Sequence, residues 1–327
     1  MTTWLPAALQ RWMRPLPQWS TVALSQPQQA VQVRMPSASG VIDVTRTAVV
    51  ASLRPLTLAV GLTEQIQSVI KANARPQMHF VDLDSGRTVG VLHLRHVRNW
   101  DTSGASIGLF EIQHGTQRCA AWPYRSWNRW LQNRAMRGNT DPNNFFMPPQ
   151  AVQQQMIFYI CPRPVVLVSV DDGQHGNLFP MDLIGPVSAE HFTLALRSTS
   201  QSVATMKSAR RVALSDVAAS DYAIAYKLGA HHKKVMVDWD QLPFRMQRSK
   251  IFSLPYPEPA LRIREVEILD VDTIGSHTLF FSRIASELRI RQTPQFFHTS
   301  GIYQHFRSSH GRPFPATDQK RVDPKAG

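Results

Sequence analysis

The sequence lacks several features that would assign a protein at a glance. No uninterrupted apolar run approaches the ~20 residues that a bilayer crossing needs. The first residues, MTTWLPAALQRWMRPLP, place proline, arginine and tryptophan where a signal peptide keeps a clean apolar stretch. A cytoplasmic protein that does not enter a membrane is the expectation. Cysteine occurs only twice in 327 residues, at Cys119 and Cys161. Two thiols exclude a disulfide framework or a multi-cysteine metal centre and suit a reducing compartment; both read as buried apolar fillers. Acidic residues are scarce, 23 against 36 lysines and arginines, a formal charge of +13. That excess favours anionic partners: nucleic acid, an anionic membrane or a phosphorylated cofactor. The basic residues are dispersed, as at Arg210/Arg211 and Lys233/Lys234, so a solvated basic surface fits better than a nucleic-acid groove. No internal repeat and no low-complexity tract stands out.

A 43% hydrophobic content supplies core enough for about two domains of roughly 150 residues. Residues 1–30 read as an irregular arm with one short helix at Pro6 to Met13. From Val31 the chain turns to strand-like runs (VQVRM, GVIDV, LTLAV), then a hairpin, MHFVDL and RTVGVLHLRHV, turning at Asp84 to Gly86. IGLFEIQ follows at Ile107. Between Tyr124 and Arg137, Trp127, Trp130, Leu131 and Arg134 fall at offsets of a helix face closed by Gly138, and the tryptophans at 122, 127 and 130 are expected in a core. NTDPNN and FFMPP mark a boundary near Pro148 to Gln150, which leaves 31–150 as a strand-rich region of unassigned role. His93 and His96, three apart in a strand, point to opposite faces, and Glu111 and His114 share that defect, so no metal site is expected there.

The C-terminal half carries more chemistry. PVVLVSV reads as a buried strand, DDGQHGN as a glycine-rich turn, LFPMDL as an extended piece and HFTLALR as the next strand. A helix should begin between Ser198 and Ser202 and continue as VATMKSARR. The hydroxyls of RSTSQS, unpaired backbone N–H groups and Arg197 would make its start a socket for a phosphate. Histidines at 175, 231, 232, 277 and 298 invite catalytic roles. His231 and His232 adjoin Lys233 and Lys234 in what reads as an exposed basic loop rather than a metal site.

Three ordered landmarks make this half resemble the flavin-reductase-like FMN-binding split-barrel family, over about residues 156–307. They are Pro162 to Val165 leading to Asn177 to Pro180 and Arg197 to Thr205; GSHTLFF at Gly275 to Phe281; and FFHTSGIYQHF, similar to a tyrosine-containing closing strand. Ser276 stands where that family commonly has aspartate, and Asp182 where small or hydroxyl residues are common. The resemblance implies a mainly β protein with a few helices, an FMN-binding split β-barrel at 151–327 behind a strand-rich N-terminal domain. It implies FMN as cofactor, its phosphate on Arg197, Ser198, Thr199 and Ser200 with Ser202, Thr205 and Lys207 close by. The ring would lie along Asn177, Leu178, Phe179, Pro180, Met181 and Asp182. His277 would touch the flavin or nicotinamide edge, unless it is a satisfied structural histidine. An oxidoreductase passing a hydride from NADH or NADPH to flavin N5, working as a homodimer, is the leading expectation. A non-catalytic FMN-binding or electron-carrier protein is the alternative, and a basic nucleic-acid-binding protein the weaker one.

Overall fold

The computed structural model describes residues 15–25, 30–38, 40–73, 75–137 and 147–317. The helix expected at Pro6 to Met13 and the NTDPNN turn lie outside these residues. The expected arm is not irregular where it is described: β1, Trp19–Leu24, pairs antiparallel with the chain's last strand. Alternate side chains of this short run, such as Ser20 and Val22, turn inward, and a strand already in place at the other end of the sequence supplies the ladder.

The N-terminal unit begins with β2 (Val31–Ser37), β3 (Gly40–Asp43), β4 (Ala48–Leu53) and β5 (Leu56–Gly61). Helix α1 (Glu64–Ala72) follows, capped by Thr63, whose Oγ1 accepts the Ile66 N–H. β6 (Gln77–Asp82), the long β7 (Arg87–Asp101) and β8 (Ser106–Gln117) complete one antiparallel sheet in the order β3-β2-β6-β7-β8-β5-β4. The hairpin expected at Asp84 to Gly86 is the β6–β7 connection. Helices α2 (Trp122–Arg137) and α3 (Pro149–Phe158) then lead to a two-residue strand, β9 (Arg163–Pro164).

The C-terminal unit runs β10 (Val166–Asp171), β11 (Gly176–Met181), β12 (Ile184–Pro186), β13 (His191–Arg197), α4 (Ser202–Ala209) and β14 (Arg211–Asp216). Helix α5 (Tyr222–Leu228) and a small hairpin, β15 (Met246–Arg248) with β16 (Pro255–Pro257), are inserted before β17 (Arg262–Ile274) and β18 (His277–Arg289). The seven-stranded sheet has the order β11-β10-β14-β17-β18-β13-β12. β19 (Gln295–Ser300) sits between β1 and β9, and α6 (Gly301–Ser309) closes the described chain. Of the expected closing strand only FFHTS is extended; GIYQHF is helical, with Tyr303 buried on its inner face.

The two sheets have one topology. Numbering the strands of each unit one to seven in chain order, both read 2-1-5-6-7-4-3, with a helix between strands four and five. Even the irregularities recur: the sixth and seventh strands carry two register shifts in each unit. The chain therefore contains a structural repeat that its sequence scarcely shows.

The units meet back to front. The β4–β5 turn rests on the β17–β18 turn, where Ser276 N–H donates to Arg54 O at 2.9 Å and a Cβ on Gly275 would overlap that same carbonyl. Reciprocally, the β7–β8 turn rests on the β12–β13 turn, where a Cβ on Gly104 would overlap the His191 ring. Each unit presents the same two turns to the other, the signature of a twofold-like contact. A shared apolar cluster lies between them, Val49, Ala59 and Leu109 against Ala195, Leu279 and Phe281. The Arg98–Asp272 ion pair adds a polar contact at this boundary. The end of α3 and the helix α6 bind the units further: Phe158, Tyr303 and Phe306 share the N-terminal core with Phe80 and Leu92.

One burial expectation fails. Trp122, Trp127 and Trp130 on α2 are 71%, 39% and 48% exposed. The helix docks through a polar face instead: Asn128 Oδ1 accepts the Leu16 N–H and Gln132 Nε2 donates to Leu16 O. Trp127 and Trp130 then stack on one another, centroids 5.0 Å apart, outside the core.

Candidate functional site

β13 ends at Arg197, and after four intervening residues α4 begins at Ser202, within the window expected from RSTSQS. Arg197, Ser198 and Thr199 are exposed at this junction and Ser200 is half-buried. None of these hydroxyls caps the helix. The Ser198 N–H donates to Ser276 O at 3.1 Å and its hydroxyl lies 3.1 Å from Thr278 Oγ1, which ties the junction to the start of β18. Ser202 and Thr205 turn inward while Lys207 is exposed.

The His231–Lys234 segment, read from sequence as a separate solvated loop, folds directly onto this junction. Ser200 donates to His232 O, and the Asn177 amide donates to Ser202 Oγ, His231 O and Lys234 O at 2.9–3.0 Å. Asn177 is fully buried (0% exposed), so it serves as the tie between strand, helix and loop. The two imidazoles also cover the free edge of β11. His231 Nδ1–H donates to Leu178 O at 2.8 Å and His232 Nε2–H to Pro180 O at 2.9 Å, alternate carbonyls that an edge strand leaves unpaired. Burial lowers the pKa of both, which keeps them neutral donors. Neither is an exposed loop histidine, and their bonding nitrogens are committed to carbonyls. Among the described residues no group of three or more His, Cys, Asp and Glu side chains is placed to hold a metal.

Along the expected ring-binding stretch, Leu178, Phe179 and Met181 point into cores, while Pro180 and Asp182 are half-buried. Asp182 is one end of a hydrogen-bonded chain that runs through His298 of β19 to Tyr226 of α5. It accepts from His298 Nδ1–H at 2.8 Å, and His298 Nε2 accepts from the Tyr226 hydroxyl at 2.9 Å. Burial pushes the Asp182 carboxyl up, but hydrogen bonds from His298 and Tyr159 outweigh it and hold the pKa below the usual value. Trp19 of β1 stacks against His298 with centroids 6.0 Å apart. No local motif announces this network, because its members are far apart in the chain; the only sequence signal is a histidine in an apolar strand, FFHTS.

His277 is 1% exposed. Its Nδ1 accepts from the Ser276 hydroxyl at 2.9 Å and from the Leu53 N–H of the N-terminal unit at 3.4 Å. Burial, with the charge of Arg197 adding to it, pushes its pKa down to about 4, so the ring is neutral near pH 7. The arrangement brings Arg197–Ser200 beside the Lys233–Lys234 segment, with Lys207 exposed on α4 and no carboxylate in residues 197–209 or 229–234. Guanidinium, hydroxyls and a helix start are the donor set that a phosphate monoester needs.

The equivalent place in the N-terminal unit does not have that set. Ala59 pairs with Leu109 as Ala195 pairs with Leu279, which sets Gly61 opposite Arg197 in the comparison of the units. Thr63 is used as a helix cap and Glu64 brings a carboxylate to the first turn, where it would repel a phosphate.

Residues 158–301 match the family model of the flavin reductase like domain, so this part of the chain carries a domain of that type. No curated protein matches the chain. Among solved structures, an FMN-binding protein from Thermus thermophilus is 25% identical, covering 39% of this chain and 71% of its own, with a TM-score of 0.36. An NADH:FAD oxidoreductase from Streptomyces globisporus is 17% identical over 49% of this chain and 95% of its own, TM-score 0.42. The flavin reductase component of a bacterial two-component tryptophan halogenase is 17% identical over 46% and 93%, TM-score 0.40.

Proposed function

We propose that the chain binds FMN in its C-terminal unit and reduces it with NADH or NADPH. The observation that carries this reading is the junction at Arg197–Ser200, where an exposed guanidinium, hydroxyls and the start of α4 meet the Lys233–Lys234 segment, within the part of the chain that matches the family model. These residues fit the phosphate end of FMN. At the ring end the fit is narrower than the sequence implied, since only Pro180, Asp182 and the His231 and His232 imidazoles are half-buried along the β11 edge.

When bound, the flavin supplies the hydride-accepting N5. The chain's own residues act around it. Arg197, Ser198 and Thr199 hold the phosphate; Lys207, Lys233 and Lys234 add long-range attraction for anionic nucleotides; and positioning the two rings supplies most of the rate. His277 is neutral and buried, and in this reading it positions the β17–β18 turn against the cradle rather than donating a proton. In this reading the N-terminal unit, which meets the C-terminal unit through the same two turns from each side, takes the part expected of the second subunit of a homodimer, and a monomer with one flavin would be the working unit.

Anaerobic mixing with NADH or NADPH tests the reading: purified protein should show a flavin spectrum after addition of FMN, and that spectrum should bleach rapidly with one of the two. FMN that binds but stays oxidised would favour a flavin carrier, for which the burial of His277 is the supporting observation. Absence of FMN binding would overturn both.

A further inference from the structure

A second polar site lies away from the Arg197 junction. A cavity of about 760 Å³ opens between the two units at the far ends of β17 and β18, where Arg262 and Arg289 are paired. The His277 turn is at the opposite ends of the same strands. Five arginines line the cavity, Arg46, Arg163, Arg262, Arg264 and Arg289, against one carboxylate, Glu287. Asp216, bound to both Arg262 and Arg264, still leaves three positive charges in excess.

The buried donors single this place out. Among the described residues, the buried side-chain nitrogens without a hydrogen-bond partner are Arg163 Nε and Nη2, Arg264 Nε and Gln295 Nε2. All four belong to residues that line this one cavity. Arg163 is 7% exposed and Arg264 6%. Arg163 is held by Ala48 O through Nη1 and by the Phe158 ring, 4.0 Å from its Cζ. A buried guanidinium with two unanswered donor nitrogens is unfavourable unless an acceptor compensates for it. Beside the arginines the walls are apolar, with Val166, Ile184, Phe192 and Phe297.

We infer that this cavity is a binding site for a small organic oxyanion, a carboxylate or phosphate ester with an apolar body, and that Arg163 is its principal partner. The guanidinium fork matches either head group in bidentate geometry. Its unpaired nitrogens are shielded from water, so the fork must turn towards the cavity to engage the ligand. The site does not depend on the flavin reading, because it uses neither the α4 junction nor any residue of the cradle.

Titration calorimetry and thermal melting of the full chain test it with benzoate, phenyl phosphate, inorganic phosphate and neutral benzamide. Benzoate or phenyl phosphate should bind and raise Tm, while benzamide does neither. Which of the two binds more tightly identifies the head group, and inorganic phosphate reports the head without the body. Arg163→Gln should weaken the preferred anion by about tenfold or more, and Arg289→Ala, at an exposed rim position, by about threefold. Should Arg163→Gln fail to fold, Arg289→Ala and Arg46→Ala decide the matter. Binding unchanged in the variants, no binding by any of the anions, or displacement of the anion by FMN at one shared site would each overturn the inference.

Discussion

Replacing Gly275 with alanine would separate the role of the N-terminal unit in flavin binding from its role in stability. Gly275 has φ +54, in the left-handed region, and its missing Cβ is what lets the Arg54 carbonyl approach. Alanine there meets a backbone penalty of about 1–2 kcal/mol and an overpacking penalty of about 1–3 kcal/mol. The sum, about 2–5 kcal/mol, does not exceed the roughly 5–15 kcal/mol of a typical domain, so the variant should fold. The turn must then move off the N-terminal unit, carrying Ser276 and Thr278, the two residues that hold Ser198. Misplacing one or two neutral hydrogen bonds to the phosphate, at about 0.5–1.5 kcal/mol each, should weaken FMN roughly two- to a hundred-fold.

Gly104→Ala is the matched control, because it disturbs the reciprocal contact of the same interface. Its Cβ would meet the His191 ring, a side chain rather than a backbone carbonyl, and no cradle residue lies at that contact. Fluorescence titration with FMN, alongside urea unfolding, should show lowered stability in both variants and weakened FMN only in Gly275→Ala. Equal losses of FMN affinity in the two, or no loss in Gly275→Ala, would refute the claim that the N-terminal unit shapes the cradle.

Further outcomes follow from the same geometry. Ser198→Ala with Thr199→Ala should reduce FMN affinity roughly five- to a hundred-fold by removing two neutral hydrogen bonds, while riboflavin, which lacks the phosphate, should bind unchanged; equal losses for both ligands would misplace the phosphate. His277 remains neutral in the fold down to about pH 4 but titrates from pH 6.5 when unfolded, so the unfolded chain binds more protons between those values and stability falls as pH is lowered through that window, by at most about 3 kcal/mol. His277→Gln should flatten that part of the urea-midpoint profile against pH, and an unchanged slope would contradict the buried neutral ring. Asp82 accepts from Tyr303, Arg307 and Ser85 beneath the N-terminal core; Asp82→Asn should lose about 3–5 kcal/mol in urea unfolding because Arg307 is left with a broken buried pair, and a loss under about 1 kcal/mol would show that Asp84, also bound to Arg307, suffices.

Those parts of the fold that depend on local pattern are legible in the chain. PVVLVSV, HFTLALR and the Asp84–Gly86 hairpin are where runs and turns place them, and α4 starts inside the hydroxyl cluster. What was not legible depends on backbone carbonyls and distant pairings. The His231–His232 clamp binds Leu178 and Pro180 through main-chain oxygens, which no side-chain type encodes. β1 pairs with β19 from the other end of the chain. The tryptophans of α2 have helical spacing, but spacing alone does not say which face is inward, and the polar face won through Asn128 and Gln132. The repeat survives in sequence only as fragments: Thr57-Leu58-Ala59 beside Thr193-Leu194-Ala195, and Leu109-Phe110 beside Leu279-Phe280.

Those fragments lie where the two units still need the same chemistry. Leu58 pairs with Phe110 and Leu194 with Phe280, so each pair fills its own unit's core, whereas Ala59 with Leu109 and Ala195 with Leu279 fill the shared interface. Packing against one another constrains both copies alike, because an interface of this kind uses the same patch from each side. Binding an anion constrains only the copy that does it. Past Ala59 and Ala195 the likeness therefore ends: one unit continues to Gly61, a threonine cap and Glu64, the other to Arg197 and three hydroxyls. A carboxylate at the start of α1 and a guanidinium before α4 are opposite electrostatic choices at equivalent strand-to-helix junctions. In the proposed reading, a single phosphate site per chain is what those choices produce.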